Sequence, residues 1–69
     1  MDINNPTTNF ILRLPDVEKR TGIKRSYIYK LIKQEKFPKP VPLGIRAVGW
    51  YSNEIDVWIT NRATSSVTN

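Results

Sequence analysis

The residues best suited to chemistry in this chain lie between Gly22 and Lys33, in the stretch GIKRSYIYKLIK. On a helix at about 100° per residue, Ile28, Leu31 and Ile32 share one side, with the spacing that faces a core. The start and the other side of this helix carry cations, a hydroxyl and two phenols: Lys24, Arg25, Ser26, Tyr27, Tyr29, Lys30 and Lys33. Such a front can bind phosphates and base edges, so we expect it to lie in a DNA groove.

The side chains of this front suit different contacts with DNA. Arg25 is the first candidate for reading a base, because one guanidinium can bind O6 and N7 of a guanine together. Ser26 and Lys30 are further candidates for base edges. Tyr27 and Tyr29 can stack, contact a thymine methyl or bind a phosphate through the hydroxyl, with core packing as the alternative for each.

Two further predictions concern cations that bind phosphate or the minor groove. Lys24, Lys33 and Lys39 suit phosphates better than bases, and the alternative for any one of them is a solvated surface charge. Arg46 lies in a turn with no carboxylate near it in sequence. An arginine at such a tip can enter a narrow minor groove, where the negative potential is strongest; the alternative is an exposed turn residue.

The distribution of charge supports a nucleic-acid partner. The 69 residues carry a net charge of +5, but the segment from Arg13 to Arg46 holds ten basic and three acidic residues, a net +7, and the flanks carry −2. A basic middle of this kind is typical of nucleic-acid-binding domains. A merely basic, soluble surface is the alternative.

Composition excludes several kinds of site. The chain has no cysteine and no histidine, which excludes disulfides, thiolate and imidazole chemistry and the usual zinc sites. The six carboxylates are scattered, and no nucleophile–base pair or phosphate-binding glycine loop is present. We therefore expect no enzyme activity, no cofactor and no metal. No apolar run approaches 18 residues and no signal peptide is evident, so we expect no membrane association and a cytoplasmic location.

Start and stop signals place two helices around a short turn. A proline at the first turn, acidic then basic residues along the helix dipole, and Gly22 as a left-handed cap predict a first helix over 15–21. Ile23 is expected to plug the turn. The second helix begins near Arg25 and cannot run far past Glu35, because prolines follow. Two helices joined in this way form the helix-turn-helix pattern.

A hairpin and a third helix are expected next. KFPKPVPLG must be extended, and alternating apolar residues at 41–43 and 48–50 flank a turn at 44–47, the layout of a wing. Ser52 can cap a helix that ends near Ala63. Its apolar stripe is Ile55, Trp58 and Ile59, with both tryptophans expected in the core. Val57 points elsewhere, as a partly exposed residue or a contact for another subunit.

The predicted fold is mainly α with a small β-hairpin: a winged helix-turn-helix with a two-stranded wing and a C-terminal helix. Residues 10–63 are expected to form this domain, opening with a brief edge strand or extended lead-in at 10–13. Residues 1–9 are expected to be a flexible N-terminal arm and 64–69 a disordered tail.

The segment RLPDVEKRTGIKRSYIYKLIKQEKFPKPVPLGIRAVGW, followed by a helix containing VWI, resembles the AlpA family of phage and prophage regulators over roughly 11–62. Its most specific part is Phe37-Pro38-Lys39-Pro40-Val41 with Gly44, Arg46 and Gly49-Trp50. The resemblance implies a small winged-helix DNA-binding protein, related in fold to MerR-type domains and phage excisionases. The family usually has a hydroxyl residue where Lys24 stands and glycine where Lys36 stands. Lysine cannot supply the helix cap, so the cap is either missing or replaced by Ser26 or a water. A left-handed Lys36 would be mildly strained, and the alternative is a turn that is built differently.

The resemblance implies a sequence-specific, double-stranded DNA-binding transcriptional regulator of a phage or integrative element, with the second helix in the major groove and the wing in the adjacent minor groove. The alternative is an excisionase-like recombination directionality factor that bends DNA and bridges to an integrase. A more distant alternative is a protein-interaction module with an acidic partner. Expected partners are double-stranded DNA, further copies of the chain on DNA, and integrase or RNA polymerase, at the nucleoid of a bacterium.

Overall fold

The computed structural model describes residues 9–68. A short strand is followed by a helix pair, a hairpin and a third helix. In chain order the elements are β1 (Ile11–Leu12), α1 (Leu14–Thr21), α2 (Arg25–Lys33), β2 (Val41–Pro42), β3 (Val48–Tyr51) and α3 (Ser52–Thr68). Three helices with a small antiparallel sheet confirm the predicted winged helix-turn-helix, which is mainly α with a β-hairpin.

Every helix and the central strand contribute to one core. The buried apolar residues are Leu12, Val17, Ile28, Leu31, Phe37, Trp50 and Ile55, with Leu14, Ile23, Ile32, Val48, Trp58 and Ile59 packed against them. These include the predicted inward faces of α2 and α3, Ile23 in the turn and both tryptophans. Fully burying a large apolar side chain contributes about 1.5–3 kcal/mol, so this cluster holds the three helices against the sheet.

The wing is anchored on a third strand. The strand order is β1-β3-β2, with Ile11 opposite Tyr51 and Val41 opposite Gly49. The sequence left residues 10–13 as a strand or a lead-in, and they include a strand. Arg13 adds a tie by donating from Nε to the carbonyl of Val48 (3.0 Å). Pro40 precedes β2 and Pro42 lies on it. Because β2 is an edge strand, the backbone N–H that proline lacks is not needed there.

Two of the predicted helix boundaries at the turns are close to those observed. Helix α1 begins at Leu14, one residue earlier than predicted, and ends at Thr21; the cap is Gly22, whose φ of 78° is left-handed. At the end of α2, the left-handed residue is Glu35 (φ 60°) and not Lys36. Lys36 N–H donates to the Leu31 carbonyl (2.8 Å) and Glu35 N–H to the Ile32 carbonyl (3.0 Å). This is the Schellman arrangement, which places the positive φ at Glu35.

Helix α3 begins where predicted, but it ends later. It begins at Ser52 as expected, but Asn9 is not loose: its Oδ1 accepts a hydrogen bond from Asn53 N–H (3.1 Å). The predicted end near Ala63 is wrong, since the helix continues to Thr68. The sequence from 52 onward has no glycine or proline to stop it. The rest of the predicted arm, residues 1–8, and Asn69 of the predicted tail lie outside the described residues.

Candidate nucleic-acid interface

All nine predicted contact residues have exposed side chains. They are Lys24, Arg25, Ser26, Tyr27, Tyr29, Lys30, Lys33, Lys39 and Arg46. The two tyrosines, for which core packing was the alternative, are 40 % and 43 % exposed, while Ile28 and Leu31 are buried on the opposite side of α2. Helix α2 therefore has an apolar back in the core and a polar, basic front in solvent.

The start of α2 is fixed by a residue of α1. Lys24 occupies the N-cap position, and its side chain makes no cap hydrogen bond. The expected substitute was Ser26 or water, but the structure shows another one: Glu18 Oε2 accepts a hydrogen bond from Arg25 N–H (2.8 Å). A carboxylate there also suits the positive end of the helix dipole. The base-reading candidate thus sits in a first turn that is tied to the preceding helix.

Among residues 9–62, the cations of this surface form no ion pair with a carboxylate. Among residues 9–62, the ion pair found joins Arg20 and Asp56 (2.8 Å), on α1 and α3. No carboxylate of that range forms an ion pair with the cations of the site, which are Lys24, Arg25, Lys30, Lys33, Lys39 and Arg46. Their charge is consequently available to an anionic partner.

The connection from α2 to the wing is held by both tryptophans. Trp50 Nε1 donates to the carbonyl of Pro38 (2.9 Å), and Trp58 Nε1 donates to the carbonyl of Lys36 (2.8 Å). The buried ring of Phe37 lies edge-on to Trp58, with ring centroids 4.7 Å apart. Lys39 is therefore presented from a segment that is fixed to the core.

The wing ends in an exposed, short turn. Leu43 N–H donates to the Ala47 carbonyl (2.7 Å) and closes the hairpin, and residues 44–46 bend beyond it. Arg46 is exposed at this tip, as predicted. The site therefore comes from two places: seven of the nine residues lie in Lys24–Lys33, at the start and along the front of α2, while Lys39 and Arg46 belong to the following connection and wing.

Three residues that hold this surface in place were missed by sequence reasoning. Glu18 caps α2, Arg13 binds the base of the wing, and Asn9 binds the start of α3. Their partners lie 7, 35 and 44 residues further along the chain. No local pattern signals such pairs. Asparagine is a familiar capping residue, but which helix Asn9 contacts is evident only in the fold.

A shallow groove lies between α3 and the proline-rich connection. Its volume is about 660 Å³, and its lining includes Pro38, Lys39, Glu54 and Val57. Val57 is 57 % exposed, which agrees with its predicted position off the apolar stripe. In the described part of the chain, no three carboxylates, histidines or cysteines come together as a metal site would require. No helix found there is long and apolar enough to cross a membrane.

A helix-turn-helix with a basic front, followed by a wing with an arginine at its tip, defines a small winged helix-turn-helix protein. The chain belongs to the AlpA family: the profile described as prophage CP4-57 regulatory protein (AlpA) matches residues 10–63. This confirms the resemblance seen in the sequence. The family is described as one of regulatory proteins.

Two relatives agree with this membership. The chain is 39 % identical over 66 residues to the DNA-binding transcriptional activator AlpA of Escherichia coli (strain K12), covering 87 % of this chain and 94 % of that protein. It is 37 % identical over 62 residues to the uncharacterized protein ORF88 of Enterobacteria phage P4, covering 90 % of this chain and 70 % of that protein. No solved structure matches.

Proposed function

We propose that this chain is a sequence-specific, double-stranded DNA-binding transcriptional regulator of a phage or integrative element. The observation that carries the proposal is the front of α2, where exposed cations without carboxylate partners among residues 9–62 lie opposite a buried apolar face. The similarity to a transcriptional activator of E. coli, over nearly the whole length of both chains, supports it.

Helix α2 enters the major groove in this proposal. A helix fits that groove, and the first residues of a recognition helix contact base edges. Arg25 is the first residue of α2 and reads a guanine, with Ser26 and Lys30 beside it. Tyr27 and Tyr29 contact methyl groups, bases or phosphates, which their exposure allows.

The remaining cations hold the protein on the duplex. Lys24, Lys33 and Lys39 bind phosphates on either side of the groove. Arg46 enters the adjacent minor groove from the wing tip. The fixed connection between α2 and the wing supports simultaneous contacts, because little conformational freedom remains to be lost on binding.

Binding measured against salt tests the proposal. With duplex DNA, log K is expected to fall linearly with log[salt], with a slope near −0.9 for each neutralised phosphate. Lys33→Ala is expected to weaken binding to all sequences alike and to reduce the slope by about one. Lys19→Ala, an exposed lysine of α1, is the matched control and is expected to change neither.

Absence of duplex binding at 50 mM salt, or binding that is flat with salt, would contradict the proposal. In that case a basic interaction module for an acidic protein becomes the better interpretation, and it is tested by titration with acidic polypeptides. If Lys33→Ala and Lys19→Ala lose the same affinity for duplex DNA, the lysines contribute general positive charge and not contacts at a defined interface.

Two cellular roles would use this same surface, and cellular assays distinguish them. A transcriptional role predicts altered output from a reporter placed behind the bound site, through contact with RNA polymerase. An excisionase-like role predicts altered recombination between attachment sites by an integrase, with reporter output unchanged. The transcriptional role is favoured because the E. coli relative is a transcriptional activator. Either role places the protein with the nucleoid in the bacterial cytoplasm.

A further inference from the structure

The most exposed large apolar side chain of the described residues is at the tip of the wing. Ile45 is 99 % exposed, between Gly44 and Arg46, in the bend that joins β2 to β3. Leu43, just before this bend, is 43 % exposed. A Cβ built on Gly49 would lie 3.1 Å from Leu43 Cδ1, so Leu43 rests over the central strand.

Nothing in the fold accounts for an isoleucine at this tip. The hairpin is already closed by the hydrogen bond from Leu43 to Ala47 and by the β2–β3 pairs. A side chain that is 99 % exposed buries no apolar area and so contributes almost no hydrophobic stabilisation. Turns normally take glycine, asparagine, aspartate or serine, whose backbone and side-chain properties suit them. Ile45 is therefore available to bury apolar area against a partner.

We propose that Ile45 is an apolar wedge that enters the minor groove and partly unstacks one base step. This inference rests on the proposed DNA binding. Isoleucine is one of the side chains that minor-groove proteins insert between bases, and the insertion kinks the duplex. Arg46, next in the chain, brings the positive charge that attracts the tip to the groove.

The consequence is a sequence preference at base pairs that receive no hydrogen bond. Unstacking is easiest at pyrimidine–purine steps such as TA and CA, which are flexible and easily kinked. The wing of this protein therefore selects for a flexible step, and does so through Ile45. Helix α2 reads base edges independently of it.

The test uses the full chain and a duplex chosen by selection from a randomised library, with the base step under the wing located by footprinting. That step is then set to TA or to the stiffer AA, and bending is measured by energy transfer between the duplex ends. The native chain is expected to bend the TA duplex and to prefer it by roughly tenfold. Ile45→Ala is expected to remove the bend and most of the preference, while Ile45→Leu retains both.

Arg46→Ala is the matched variant at the neighbouring position. It is expected to lower the salt slope by about one and to leave the TA preference in place, whereas Ile45→Ala leaves the salt slope unchanged. A mismatch at the step under the wing, which lowers the cost of unstacking, is expected to strengthen binding by the native chain but not by Ile45→Ala. Because Ile45 and Arg46 are both exposed, Ile45→Ala and Arg46→Ala are expected to have the same Tm as the native chain.

Salt-dependent binding with the same bend and step preference in Ile45→Ala as in the native chain would overturn the wedge and leave the proposed function intact. Loss of duplex binding by the native chain would overturn both. A change confined to cooperativity between two copies on one duplex would identify Ile45 as a protein contact, and would also overturn the wedge.

Discussion

Arg25 combines two properties in one residue. Its side chain is exposed at the start of α2, and its backbone N–H is held by the Glu18 carboxylate at 2.8 Å. The hydrogen bond fixes the backbone from which the guanidinium extends. A base reader gains specificity from such preorganisation, because a bidentate contact with guanine requires a defined approach.

We expect Arg25→Ala to cost about 1–3 kcal/mol of binding free energy on the preferred duplex and to relax selection at one base pair. The measurement is affinity for the preferred duplex and for the three substitutions at each position. Arg25→Lys is the control that keeps the charge. It is expected to retain the phosphate contribution and lose the base preference, because an ammonium cannot bind O6 and N7 in the same fork. Equal loss on every sequence would assign Arg25 to phosphate instead.

At the scale of elements, the order of the surface depends on contacts between neighbours. Helix α2 has no side-chain cap of its own and takes one from α1. The wing takes its stiffness from β1, since β3 pairs on both sides. Each element of the proposed DNA surface is therefore positioned by an element outside it.

The cap predicts a loss of stability when Glu18 is truncated. Removing an N-cap acceptor costs about 0.5–2 kcal/mol, and in a domain of this size each kcal/mol lowers Tm by about 4–8 °C. We expect Glu18→Ala to show this loss in thermal unfolding followed by circular dichroism. Glu18→Gln keeps an acceptor oxygen and is expected to lose less. An unchanged Tm for both variants would show that the Arg25 N–H is satisfied equally well by water.

The two glycines of the wing are expected to respond differently to replacement by alanine. A Cβ at Gly49 would collide with the Ile11 side chain and lie 3.1 Å from the Leu12 carbonyl oxygen. We expect Gly49→Ala to destabilise the fold by about 1–3 kcal/mol, as overpacking does. Gly44→Ala is the matched control, because nothing lies within 4 Å of its Cβ and its φ is not positive. Urea unfolding of the pair measures the difference, and equal stabilities would argue against close packing of β1 on β3.

At the scale of the whole molecule, the proposed DNA surface is small. One short helix and one wing tip would contact few base pairs, and helix-turn-helix proteins gain affinity by binding two half-sites as dimers. The groove between α3 and the proline-rich connection contains Val57, which is 57 % exposed. We propose this face as the contact between copies bound to adjacent sites, with the chain a monomer in free solution.

Val57→Ser is accordingly expected to reduce cooperative binding to a duplex with two sites by roughly fivefold to tenfold, since it removes apolar area that the contact would bury. Affinity for a duplex with one site is expected to stay unchanged, which makes the single-site duplex the internal control. Val57→Ile keeps the apolar area and should keep the cooperativity. If Val57→Ser binds both duplexes as the native chain does, the copies meet elsewhere or do not meet.

The sequence by itself determined the helix-turn-helix, the hairpin and the family. The spacing of Ile28 and Leu31, the left-handed Gly22 and the prolines after α2 are local signals, because helix periodicity, caps and breakers act over a few residues. The same spacing put the basic residues on the opposite side of α2, so the exposure of the predicted site followed from the pattern.

Only the tertiary structure decided what holds that site. The Glu18 cap, the Arg13 tie to the wing and the Asn9 contact with α3 join residues that are distant in sequence, and pairing at a distance depends on packing. The left-handed residue is Glu35 and not Lys36. Its position was likewise set by the hydrogen bonds that the N–H groups of Glu35 and Lys36 donate to carbonyls of α2. Composition showed that the chain is basic. The fold determined where its cations lie and left those of the predicted site without an ion pair among residues 9–62.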